Sequence, residues 1–387
     1  MVPRLRFKDD NGQEFPDWDE KKLGEVANFF SGGTPNSSNQ SFYKGDIPFI
    51  GSGDIKKKTV NKFITNEALE SSSAKIIEKG DLLYALYGAT SGQVSISKLR
   101  GAINQAVLCI RTDQSNMFLL SVLEYNKERI LDKYLQGGQG NLSAKIVKSF
   151  IYSFPCLEEQ HKIASFLSSV DDKISQLEKK KTLLETYKRG IMQKIFSQEL
   201  RFKDENGQEF PDWERVRIDS VSECLDNKRK PLNSNQRSKM QGDIPYYGAN
   251  GVVDYVNDFI FNEDLVLLAE DGGHFDEFLT RPIAQIISGK SWVNNHAHIL
   301  RANSLISIDF LYYSLVHKDI RKYIVGGGRA KLNKSDLLSI IISLPKLNEQ
   351  KKIASFLSSI DKKIEITSTQ LEMTREFKKG LLQQMFV

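Results

Sequence analysis

One stretch without a proline occurs twice in this chain, and each copy ties up about a tenth of the sequence. EEQHKIASFLSSVDDKISQLEKKKTLLETYKRGIMQKIF spans residues 158–196, and NEQKKIASFLSSIDKKIEITSTQLEMTREFKKGLLQQMF spans residues 348–386. In the first copy Ile163, Val170, Leu177, Leu184 and Ile191 recur every seven residues, and Phe166, Leu167 and Ile174 widen the stripe to one apolar helix face. The second keeps Ile353, Leu357, Ile360, Ile364 and Leu371 on the matching face, then sets Lys378 on the seam before Met385. Lys, Glu, Gln and Ser fill the other face, so each copy reads as one amphipathic helix of about 39 residues, roughly 58 Å long. Such a helix needs a partner. Packing is expected through Ile163, Leu167, Val170, Ile174, Leu177 and Leu184 on one side and Ile353, Leu357, Ile360, Ile364 and Leu371 on the other. The chain order makes the pair antiparallel, with the globular parts at opposite ends and a pseudo-two-fold between them. That arrangement suits a ligand with its own local dyad, such as duplex DNA.

The globular parts are duplicated too. LRFKDDNGQEFPDW at 5–18 returns as LRFKDENGQEFPDW at 200–213, GDIPFIG at 45–51 as GDIPYYG at 242–248, and INQAVLCIR from Ile103 as VNNHAHILR from Val293. The expected organisation is a first domain at 1–157, a helix at 158–198, a second domain at 199–346 and a second helix at 347–387. Short apolar runs such as DLLYALYG at 81–88 and DLVLLAE at 264–270, bounded by Gly, Asn and Ser, predict strand-rich α+β domains. One amphipathic helix is expected in each, at 116–135 and 307–324. The helices are alike while the globular parts diverge, as expected of a shared scaffold bearing two readers of different things.

A glycine-rich loop closes each domain, GGQGNLSAKIVKSF at 137–150 and GGGRAKLNKSDLL at 326–338. Glycine allows close backbone approach to a ligand, and these loops carry polar and basic side chains. The candidate DNA contacts are therefore Gln139, Asn141, Lys145, Arg329, Lys331 and Lys334, with the basic clusters Lys56, Lys57, Lys58 and Lys228, Arg229, Lys230. Lys179 to Lys181 form a further basic run on the first helix, a solvated face or a contact to DNA backbone or a partner. A net charge of +5 permits nucleic-acid binding without arguing for it. Three cysteines without a CxxC pairing favour a reducing compartment, and no run approaches the about 18 apolar residues of a membrane span.

Chemistry finds little purchase. No Pro-Pro pair is present for the Asn/Asp-Pro-Pro-aromatic tetrapeptide of amino-methyltransferases. Pro16, Asp17, Glu20 and Lys22 mimic a nuclease pattern, but the second copy places Arg215 and Arg217 there, and a two-metal site needs convergent ligands. The P-loop-like match from Ala284 to Ser291 lacks the glycines and following helix that cradle phosphate. His296 and His298, with His274 and Asp276 nearby in sequence, suggest a zinc pair. The first domain has Ala106 and Leu108 at the aligned positions, so a core or surface role is expected and no metal is assigned.

The double plan of an RF…W…LG domain followed by an EQ-KIA-FLSS-D-KI helix resembles the specificity subunit of type I restriction-modification enzymes along essentially the whole chain. GDIPFI, GDLLYALYG, INQA and the two EQ-KIA-FLSS helices carry the likeness. The resemblance implies two target recognition domains, each reading half of a split DNA site, on a spacer of two helices. It implies a non-catalytic cytoplasmic subunit whose partners are duplex DNA, two methyltransferase subunits, and restriction and translocation subunits. S-adenosylmethionine, ATP and Mg are then expected on those partners and no cofactor on this chain. DLVLLAEDGGHF departs from DLLYALYGATSG, so contacts do not transfer simply from one domain to the other. The competing reading is a coiled-coil scaffold whose globular domains bind protein ligands.

Overall fold

A computed structural model describes residues 3–134, 141–326 and 330–386. The chain forms two compact units, Met1–Glu178 with Thr369–Val387, and Lys179–Ser368. Each unit holds one globular part and a portion of both long helices, Leu157–Phe196 and Leu347–Met385.

In the first unit a four-stranded antiparallel sheet runs in the order Ala27–Ser31, Val107–Thr112, Leu82–Ala85, Val94–Ile96. Its central strands are rich in apolar residues because both faces are covered. Leu82, Tyr84, Leu108 and Ile110 face a core shared with the helices, whereas Leu83, Ala85, Val107 and Cys109 face Ile50, Ile77 and Ile103. Those last residues belong to a second sheet, in which Ile47–Ile50 runs parallel to Gly101–Ile103. The second unit repeats the plan. Ser222–Cys224, Ala297–Ala302, Leu265–Ala269 and Ala284–Ile287 form its main sheet, and Gln241–Gly248 runs parallel to Lys290–Val293 in the other.

The GDIP motif is explained by a close strand approach. A Cβ at Gly45 would lie 2.1 Å from the Ile64 carbonyl oxygen, and one at Gly242 would lie 2.5 Å from that of Val256. The expected helices after the main sheets are shorter than their sequence pattern. The first breaks at Asn126 into Asn116–Tyr125 and Lys127–Tyr134, the Asn126 side chain donating to the Val122 carbonyl as its own N–H does. The second stops at Ile308–Leu315, beyond which the Val316 carbonyl accepts from Ile283 N–H.

The long helices are fastened to each globular part by the duplicated motifs. Glu159, fully buried, accepts from Arg6 Nε at 3.1 Å, Arg6 Nη2 at 2.8 Å and Trp18 Nε1 at 3.0 Å. Glu349 accepts from Arg201 Nη2 and Trp213 Nε1, both at 3.0 Å. The neighbouring Gln160 accepts from Ser115 N–H and donates to the Pro155 carbonyl, as Gln350 does with Ser307 and Pro345. The RF and W of one motif and the EQ of the other are thus two sides of one clamp. Asp17 of the nuclease-like string is an exposed surface carboxylate 3.7 Å from Arg6.

Within each unit the helix segments are antiparallel. Asp171 pairs with Lys378 and Glu178 with Arg375 in the first unit, so the seam lysine finds a carboxylate across the pair. Ile163, Leu167, Val170, Leu177 and Leu371 are buried there, with Ile174 half-buried. In the second unit Ile353, Leu357 and Ile360 are buried, Leu184 and Ile364 are half-buried, and Asp361 takes Lys188 and the Tyr313 hydroxyl. The helix ends finish the cores. Phe386 stacks edge-on to Phe118 at 5.7 Å, and Phe196 lies 5.8 Å from Phe310. Among the described residues no helix is long and apolar enough to cross a membrane.

Candidate nucleic-acid interface

The basic candidates separate into displayed and engaged groups. Lys58, Lys145, Lys228, Lys230 and Lys334 are exposed. Lys57 reaches Asp54 at 2.7 Å and Lys56 reaches Glu124 at 3.7 Å, both on the surface, where such pairs give way readily to a phosphate. Asn141 is exposed, and Gln139 and Arg329 lie outside the described residues. In the helix run Lys179 and Lys180 are exposed and Lys181 is half-buried.

Arg229 is turned inward instead of being displayed with its neighbours. Its guanidinium contacts Glu270, lies 3.4 Å from Asp226 and donates to the Ala297 carbonyl at 3.0 Å. Glu270 also holds Lys331 at 3.1 Å. His298, opposite Leu268 in the main sheet, is buried, with Nδ1 2.6 Å from Asp226 Oδ2 and Nε2 2.8 Å from the Leu332 carbonyl. Burial pushes the Asp226 and Glu270 carboxyls up, but the His298 bond for the first and the Arg229 and Lys331 bonds for the second outweigh it, leaving both below their ordinary range.

The histidines do not form the pair that their spacing suggests. His296 precedes the strand and contacts Asp271 at 2.6 Å, while His298 enters the core. A different grouping, Cys224, Asp226 and His298, brings its donor atoms within 4.8 Å of one another. Both His298 nitrogens and both Asp226 oxygens are already engaged there, and burial pushes the Cys224 thiol up to about 11, away from the thiolate a metal requires.

Beside this cluster lies an open cleft of about 590 Å³, lined among others by Arg237, Asn250, Asn294, Asn295 and His296. Amide and imidazole groups of this kind are suited to base edges. None belongs to the basic clusters or glycine-rich loops that mark DNA contacts in the sequence, although the VNNHA string signals the turn: Asn294 Oδ1 accepts from His296 N–H at 2.8 Å, as Asn104 does from Ala106 at 3.0 Å.

The pattern of the type I restriction modification DNA specificity domain matches residues 16–186 and again 211–373. The chain belongs to this family. Specificity subunits of this kind are the non-catalytic recognition components of type I restriction-modification systems, and this chain is such a subunit with two recognition domains. The MjaVIII type I restriction enzyme specificity subunit of Methanocaldococcus jannaschii is 25% identical over 422 residues, covering 97% of this chain and 94% of that protein. S.HindORF215P of Haemophilus influenzae is 36% identical over 143 residues, and that match spans only 37% of this chain and 36% of the relative. The type I S subunit of M. genitalium has the same fold, with a TM-score of 0.68 at 17% identity over 100% of this chain and 99% of that one. The duplicated clamp of the specificity subunit lies partly outside the matched segments, since Arg6 and Arg201 precede them.

Proposed function

We propose that this specificity subunit reads a split duplex target, one half with each recognition domain, and carries two modification subunits, with restriction and translocation subunits joining the larger cytoplasmic complex. S-adenosylmethionine, ATP and Mg belong to those partners. The observation that carries the reading is bond-for-bond equivalence of the scaffold beside divergence of the candidate reading surfaces. Glu159 and Glu349 make equivalent clamps, whereas the first domain has Leu86 and Leu108 where the second has Glu270 and His298. Selection on two different half-sites produces that pattern.

Two copies of a partner are supported by a duplicated apolar pair. Leu183 and Tyr187 are exposed one helical turn apart, and Met373 and Phe377 occupy the same positions in the second copy, also exposed. Exposed apolar pairs recurring at repeat-equivalent sites fit two equivalent docking surfaces.

The test is methylome sequencing of cells expressing this chain with its modification subunit, before and after residues 24–155 are exchanged for those of a related subunit. One half of the methylated motif should change and the other persist. Simultaneous change of both halves refutes separate reading. Duplex binding with a steep salt slope is expected of the assembled complex, and its absence refutes a DNA role.

A further inference from the structure

We infer that the buried cluster of Asp226, Arg229, Glu270 and His298 is a positioning device, present in the second recognition domain alone, that sets the ribbon strand Lys331–Leu332 for DNA, with His298 as its key positioning residue. This rests on the DNA reading above and names how one domain shapes its own half-site.

Both backbone groups of Leu332 are held by the cluster. Its N–H donates to the Glu270 carbonyl at 2.8 Å, and its carbonyl accepts from His298 Nε2 at 2.8 Å. The preceding Lys331 bridges to Asp271 through its backbone, and its ammonium lies 3.1 Å from Glu270 Oε1. Asp226 orients the imidazole from the opposite side, and its second oxygen accepts from Ile299 N–H at 3.0 Å. Arg229 ties the two carboxylates together. The half-exposed Lys331 ammonium thus stands on a backbone fixed from below.

Closing this loop does not require Glu270 and His298. In the first domain the equivalent residues are Leu86 and Leu108, buried in the apolar core beside Leu142, and Leu142 N–H still bonds the Leu86 carbonyl at 3.1 Å. The fold therefore closes the same loop without charge. Buried ion pairs are often no more stabilising than apolar side chains of similar volume, and their distinctive contribution is fixed geometry. Leu108 offers no donor to the loop, so in the first domain the carbonyl at this point is not ring-anchored.

The experiment uses the full subunit with its modification subunit in cells, reading the methylated motif and the fraction of target sites methylated, with duplex affinity measured on the purified complex. The paired substitution Glu270→Leu with His298→Leu places the first domain's leucines at these two positions and leaves Asp226 and Arg229 to each other, and His298→Gln keeps a donor toward the Leu332 carbonyl. The paired variant should lower duplex affinity about tenfold and bring degenerate bases into the half-site that follows the second domain, leaving the other half intact. His298→Gln should stay within about twofold of the parent. An unchanged motif and affinity in the paired variant overturns the inference, as does relaxation of both halves together. A folded His298→Gln variant that loses as much as the paired variant overturns it too, because the donor would then be irrelevant. A parent chain that directs no methylation refutes the DNA reading itself and is distinguishable from these results.

Discussion

Replacing Glu349 by Gln tests whether the duplicated motifs are a structural clamp. Glu349 is fully buried and accepts three charge-assisted bonds, from Arg201 Nη2 and Trp213 Nε1 on Oε2, each at 3.0 Å, and from Arg201 Nε on Oε1 at 3.4 Å. The Gln amide keeps the volume but presents one acceptor oxygen; with that oxygen held toward Arg201 Nη2 and Trp213 Nε1, Arg201 Nε is left facing an N–H₂ group and the guanidinium loses its opposing charge. Breaking a buried pair from one side costs about 3 to 5 kcal/mol. The Arg201 side chain retains 21% of its exposure and can rehydrate, which places the expected loss at the lower end, about 3 kcal/mol. For a unit of this size each kcal/mol shifts the midpoint by about 2 to 4 °C, so a fall of roughly 6 to 12 °C is expected for the second unit. Differential scanning calorimetry should show one transition moving away from the other, and Glu159→Gln should move the partner transition instead. Arg201→Ala combined with Glu349→Gln should cost less than the sum of the two alone, because each removes the other's unpaired group. A midpoint shift below about 2 °C for Glu349→Gln, or strict additivity in the pair, would refute the clamp.

The exposed surfaces and the buried cluster set three other expectations. Changing Leu183 and Tyr187, or Met373 and Phe377, to Ser should leave the stability within about 0.5 kcal/mol of the parent, since these side chains are exposed, while reducing the modification subunits bound from two to one by native mass spectrometry. Lys58→Ala with Lys145→Ala should lower the salt slope of duplex binding by about one for each phosphate no longer neutralised and leave the methylated motif unchanged. Asp226 and Glu270 have depressed folded-state pKa values, so their contribution is complete above the ordinary carboxylate range and is lost as pH falls through and below it. The second unit should therefore lose stability as pH falls between about 5 and 3, and the paired Glu270→Leu, His298→Leu variant, which removes Glu270 and the His298 bond to Asp226, should lose less over that range; superimposable profiles of parent and variant would contradict it.

The amino-acid sequence alone determined the repeat, both long helices and their apolar stripes, because a seven-residue period is a local signal that survives without knowledge of any partner. It also marked LRFKD…W and EQ-KIA as important, but not that they meet: Arg6 and Glu159 are far apart in the chain, and only the folded unit brings the guanidinium onto the carboxylate. The two amphipathic helices expected in the globular parts came out shorter, since Asn126 and the Val316 carbonyl end them through bonds that periodicity cannot register. Arg229 looked like its neighbours Lys228 and Lys230 in a basic string, yet it is folded inward because Asp226 and Glu270 converge on it from separate strand ends. His296 and His298 looked like a pair, but the strand begins only at Ala297, so one ring stays at the cleft and the other enters the core. Period and composition are properties of neighbours along the chain, whereas the direction of a charged side chain is set by which other charges the tertiary fold delivers within a few ångströms of it.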